Sequence, residues 1–239
     1  MNFSASSGRG GERRRLEKKW RAGWWAGLFA LGGILAAAQA APPKADALGR
    51  DYRPDNVFAY PAKLSLDLRR IAVLPLAAEA SGNDLAEGCT ALTPAVWEQL
   101  VKAKRFELVA VDNAGMRRAT GKVGWTGSEM LPPDFLGFLR REYACDGVLF
   151  VELTSYRAYA PLAVGWRFKL VDARSGQIVW AADELFDAAI PAVSHAAQQF
   201  AEPRFFWPFG REENWLAVNS PRQFGRYAAA AVLDRLPER

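Results

Sequence analysis

Apolar positions along this chain change period several times, and each change predicts an element. Arg69 to Leu76 contains a short apolar run, Ile71-Ala72-Val73-Leu74, closed by Pro75, which suits a buried strand. Leu92, Val96, Leu100 and Val101 then recur at helical spacing around Trp97 and predict an amphipathic helix over about 87–103. Phe106 to Val111 alternates as a strand does, and Asp112 or Asn113 is placed to cap a short helix running toward Arg118. Phe135, Phe138, Leu139 and Tyr143 share a second helical face, with Pro132 and Pro133 expected in its first turn.

Gly147 to Leu153 is the strongest β run, apolar enough to be covered on both faces. Residues 164–171 and 177–186 predict a hairpin about Asp172–Gly176. In its first strand Trp166, Phe168 and Leu170 alternate with Arg167, Lys169 and Val171, giving one dry and one wetter face. Residues 190–201 and 220–236 predict helices, the second capped by Ser220 with Pro221 at its first position.

The order is β-α-β-α-β, a β-hairpin, then two helices. The fold class expected is α/β, with a mixed sheet of about five strands and packed helices. Helical crossovers make the first three strands parallel, while the hairpin continues antiparallel.

Upstream of that domain the pattern is of another kind. A basic stretch from Arg13 to Arg21 precedes Ala22–Ala38, 17 residues without a charge, and Ala38-Gln39-Ala40 then offers small residues before Ala41. Basic, apolar and A-x-A zones in that order predict a secretory signal with a signal-peptidase site at Ala38, Ala40 and Ala41. At the lower limit of spanning length, the same run could instead stay as an inner-membrane anchor. The organisation expected is a signal peptide or anchor over 1–40, a Pro/Ala-rich linker over 41–62, and one domain over 63–239. Both alternatives place that domain outside the cytoplasm, in the periplasm or envelope.

Charge changes the picture only through its position. The chain of 239 residues carries a formal net charge of +5. Seven of its 31 Lys and Arg and two of its 26 Asp and Glu lie in residues 1–40, which leaves 24 of each sign behind the leader. A nucleic-acid footprint needs a basic face on the folded part, so no nucleic-acid partner is expected.

Candidate chemistry is sparse, and no catalytic, cofactor or metal residue is assigned. His195 is the only histidine, with no acidic residue at helical spacing to orient it. One His and two distant Cys do not build an ordinary zinc site. Gly121, Gly124 and Gly127 do not follow a strand as a dinucleotide-binding loop would. Asp183, Glu184 and Asp187 fall in one strand, where neighbouring side chains point to opposite faces, so a solvated edge is expected rather than a carboxylate pair. Cys89 opens a helix at one end of the expected sheet and Cys145 precedes a strand at the other, which predicts two separate thiols. The aromatic stretch Phe205, Phe206, Trp207 and Phe209, with Trp215, is either a cover on the core or a partner or membrane-interface surface.

Several stretches together resemble a known group: Arg70-Ile71-Ala72-Val73-Leu74-Pro75, Leu100 to Val109, Tyr143 to Val151, and Leu170 to Trp180. Over about residues 69–187 the chain is similar to the curli-secretion-channel family, to the lipoprotein activators of penicillin-binding proteins, and to the amino-terminal domain of the Tol translocation protein. The resemblance implies a non-catalytic interaction or assembly-accessory domain with an envelope protein or peptidoglycan-associated partner. The cysteine that carries lipid in many relatives has no counterpart after the apolar run, since Cys89 and Cys145 are the only two. A periplasmic hydrolase and a membrane-tethered structural domain are the alternatives.

Overall fold

A computed structural model describes residues 52–79, 81–201 and 217–239. The leader, its expected cleavage site and the aromatic stretch 205–215 lie outside the described residues.

The sheet contains β1 (Val57–Ala59), β2 (Arg70–Val73), β3 (Ala77–Ala78), β4 (Glu107–Ala110), β5 (Gly147–Arg157), β6 (Ala163–Asp172) and β7 (Ile178–Asp187). Its helices are α1 (Asn83–Ala103), α2 (Asn113–Thr120), α3 (Phe135–Tyr143), α4 (Pro191–Ala201) and α5 (Pro221–Leu233). The strand order is β1-β7-β6-β5-β2-β4, with the short β3 also paired to β5. β2 runs parallel to both β4 and β5, while β5, β6 and β7 form an antiparallel meander. The mixed α/β fold matches the sequence expectation, but the sheet has seven strands rather than about five. The two additional strands are very short, which is why no periodicity announces them. One of them, β1, occupies the carboxyl end of the stretch expected as a linker, where Val57–Ala59 pair antiparallel with Trp180–Ala182.

Strand alternation divides the core in two. Ile71, Val73, Leu149, Val151, Leu153, Trp166, Phe168, Leu170, Trp180 and Phe186 face α1, α4 and α5. Ala72, Val148, Phe150 and Val171 face the other way, onto Met116 of α2, Phe135 and Leu139 of α3, and Trp125 in the connection between those helices. β5 is therefore apolar on both faces along its first half, as its unbroken run predicts.

Local signals end the helices where expected. Asp112 caps α2 by accepting from the Gly115 N–H, and Ser220 caps α5 with Pro221 next. α3 departs from expectation: Pro132 and Pro133 precede it, and its first residue is Phe135. Gly225 on α5 lets that helix approach α1 closely, because a Cβ there would lie 2.5 Å from Leu92 Cδ2.

Candidate functional site

The chain's two helical crossovers run in opposite directions along the sheet. The route β2–α1–β4 packs on one face, whereas β4–α2–α3–β5 returns across the other to the far side of β2. A reversal of this kind opens a crevice at the carboxyl ends of the parallel strands. A cavity of about 700 Å³ lies there, bounded by Val73–Leu76 after β2, Ala110–Asn113 after β4, and Cys89–Trp97 on α1, with Val123 and Gly124 on a further side.

The walls are mainly apolar: Leu74, Leu76, Val96, Trp97 and Val111 are among them. Pro94 adds a polar feature. A proline inside a helix has no N–H to give, so the Thr90 carbonyl one turn earlier loses its ordinary donor. Thr90 and Pro94 both line the crevice. Asp112 and Asn113 lie at its mouth, and Asp112 is already engaged as the α2 cap. An apolar slot of this kind is suited to a hydrophobic side chain.

Cys89 is half-buried in the crevice wall, and burial pushes its thiol up to about 11. Cys145 is buried at the other end of the sheet, and desolvation raises its thiol too. The two are free, as the strand order predicts. Cys89 in the native protein should therefore alkylate slowly at pH 7 to 8, with a rate rising about tenfold per pH unit toward pH 11, because the thiolate is the nucleophile. Timed iodoacetamide labelling read by mass checks this; labelling at the rate of an unfolded thiol at pH 7 would contradict the burial.

On the sheet face away from α1, a second polar arrangement holds the connection 121–134 in place. Glu152 is fully buried and accepts from the Gly127 N–H, while Lys169 Nζ donates to the Gly127 carbonyl. Both backbone polar groups of Gly127 are thus held. Arg167 completes the array: Nη1 lies 3.2 Å from Glu152 and 2.7 Å from Glu79, and Nε donates to Asp183 at 2.7 Å. Its partners are distributed around one guanidinium. Since Val123 and Gly124 of the same connection line the crevice, this clip fixes one of its walls.

The residues singled out from sequence separate accordingly. His195 lies exposed on α4. Asp183 pairs with Arg167, Glu184 accepts from the Tyr52 hydroxyl at 2.7 Å, and Asp187 pairs with Arg157 at 2.8 Å, so the three carboxylates have three different environments. Gly121, Gly124 and Gly127 belong to the clipped connection. Among the described residues no group of His, Cys, Asp and Glu is arranged to hold a metal, and no helix is long and apolar enough to cross a membrane. Sequence reasoning passed over Thr90, Pro94 and Glu152. A proline inside a helical pattern and a lone carboxylate inside an apolar strand were the available signals.

No protein-family model matches the chain, and no curated protein matches it. Solved structures do. The lipoprotein GNA1162 from Neisseria meningitidis is 19% identical over 49% of this chain and 79% of that one, with a TM-score of 0.36. The PelC dodecamer from Paraburkholderia phytofirmans gives 15% identity over 77% and 96%, with a TM-score of 0.41. The LpoB C-terminal domain from Escherichia coli gives 16% over 49% and 82%, with a TM-score of 0.31. A lipoprotein and an LpoB domain are thus among the chains it is similar to. The curli-channel and Tol resemblances rest on the sequence stretches alone.

Proposed function

We propose that this chain is a non-catalytic accessory domain of the bacterial cell envelope, exported by its leader, which holds a partner protein by an apolar anchor seated in the crevice beside β2. The observation that carries the reading is the composition of that crevice: apolar walls at the topological switch point. An anchor side chain buried there would supply the compact, desolvated contact that dominates many protein interfaces. The reading assigns the chain no bond-making step, since a periplasmic hydrolase needs a nucleophile beside a base, and the only histidine is exposed on α4.

Thr93 is an exposed residue on the crevice wall, so Thr93→Arg fills the slot at a stability cost within about 0.5 kcal/mol. Immobilised protein carrying this change should lose at least about tenfold of the partner retained by the unaltered chain from solubilised envelope, equivalent to about 1.4 kcal/mol. Tyr159→Arg, on an exposed turn between β5 and β6, serves as the control and should retain the partner fully. Equal retention by both variants would exclude the crevice. The export half of the proposal has its own measurement: the mature protein should begin at Ala41 by intact mass, and an intact leader would replace release with a membrane tether.

A further inference from the structure

The two outer strands of the sheet are treated differently. At one side β1 covers the edge of β7, pairing Val57–Ala59 with Trp180–Ala182. At the other side β4 is outermost and pairs with β2 alone. The Glu107 N–H donates to the Arg69 carbonyl at 2.9 Å, and the Val111 N–H donates to the Val73 carbonyl at 3.0 Å. Backbone groups alternate sides along a strand, so the N–H and C=O of Leu108 and Ala110 point away from the sheet. These four groups have no hydrogen-bond partner among the described residues. β4 also lacks the devices that commonly blunt an edge, since it holds no proline, no lysine and no bulge against β2. Its one charged residue, Glu107, is turned to the neighbouring strand, 3.2 Å from Arg70.

This edge runs into the crevice. Leu108 pairs with Ile71 and Ala110 with Val73, so both project to the α1 side of the sheet. Ala110 is exposed and lines the crevice, opposite Trp97 on α1. Val101, one turn beyond Trp97 on the same flank of α1, is 53% exposed. Ala110 carries nothing past its Cβ, so a large side chain arriving from the edge can pass over it into the slot.

We propose that the partner presents its apolar anchor on an extended segment that adds to the free edge of β4 as a further strand. The inference rests on the crevice reading given above and names the kind of partner that reading requires. A helix satisfies its backbone within itself and has nothing to offer Leu108 and Ala110, whereas an extended chain supplies both donors and acceptors. Main-chain pairing then provides general affinity, and the slot selects one side chain. Alternate side chains of the added strand fall on the α1 side, so one of them reaches the slot. The segment has no proline at positions that face β4, because each of those must donate an N–H.

Random dodecapeptides displayed on phage, selected on the immobilised full chain and counter-selected on Thr93→Arg, supply the probe. Enriched peptides should share one large apolar residue and lack proline beside it. Resynthesised with single backbone N-methyl groups, the tightest of them should lose about tenfold or more of its affinity at alternate positions, and less than about twofold at those between. In the complex, amide exchange at Leu108 and Ala110 should slow by about tenfold or more, while Val109, whose N–H faces β2, changes little. No enrichment over the Thr93→Arg chain overturns the proposal. So does an N-methyl series without the alternation, or unchanged exchange at Leu108 and Ala110. Each of these results leaves the crevice reading standing if Thr93→Arg still loses the envelope partner; if Thr93→Arg keeps that partner, the crevice reading itself fails.

Discussion

Glu152→Ala should destabilise the domain by about 3–5 kcal/mol in urea unfolding, the range for removing one partner of a buried charge arrangement. The carboxylate is fully buried and serves two groups at once, the Gly127 N–H and Arg167. Truncation leaves the N–H without an acceptor in a water-poor site. It also leaves Lys169 and Arg167 on neighbouring positions of the same sheet face with only Glu79 and Asp183 to balance them. Glu152→Gln should cost less, about 1–3 kcal/mol, because an amide oxygen can still accept from Gly127 while its NH₂ is turned against the guanidinium. The clip also predicts a local effect: amide exchange should accelerate over residues 121–129 in both variants before it changes in β5 and β6. A loss under about 1 kcal/mol for Glu152→Ala would mean that the connection is held by Trp125 and Phe135 packing instead, and the clip would carry no stability.

Trp166→Ala should cost about 3–5 kcal/mol for the cavity it leaves. Trp166 is fully buried on the helix-facing side of β6, 5.9 Å from the Phe168 ring, and Phe168 in turn is 6.0 Å from Trp180. These rings occupy the middle of the larger core. Trp166→Phe should be much milder than its volume loss suggests, since the indole Nε1–H is buried without a hydrogen-bond partner and its removal recovers a desolvation cost of about 1–3 kcal/mol. Chemical denaturation of the pair of variants checks this through their difference: near-equal losses would show that Nε1–H is satisfied in solution.

The long elements were legible because their apolar periods are unambiguous. Gly147–Leu153 and the alternation of Trp166, Phe168 and Leu170 with Arg167 and Lys169 specify β5 and β6 from local pattern alone. The crossovers then determine which strands are parallel. β1 and β3 were illegible for the opposite reason. Two or three residues have no period, and Val57–Ala59 become a strand only because β7 presents an open edge to pair with. The candidate site was hidden in a further way. A crevice at a switch point depends on the spatial order of β4, β2 and β5, which no local period reveals. Single residues did leave traces: Pro94 inside a helical run, Glu152 inside an apolar strand, and Glu184 at an inward position of β7. Each breaks the local rule of its element, and each lies at a polar arrangement or a cavity in the fold.

The crevice as a partner-binding slot is tested most directly by a photo-crosslinking residue placed at Thr93 in the full-length chain, expressed in cells and activated there, with the same residue at Tyr159 as the control. A discrete protein adduct from Thr93 that is absent from Tyr159, and that disappears when Trp97 is replaced by Ala in the same chain, is the result expected. Adducts of equal yield from both positions, or adducts from Thr93 that are indifferent to Trp97, would contradict it.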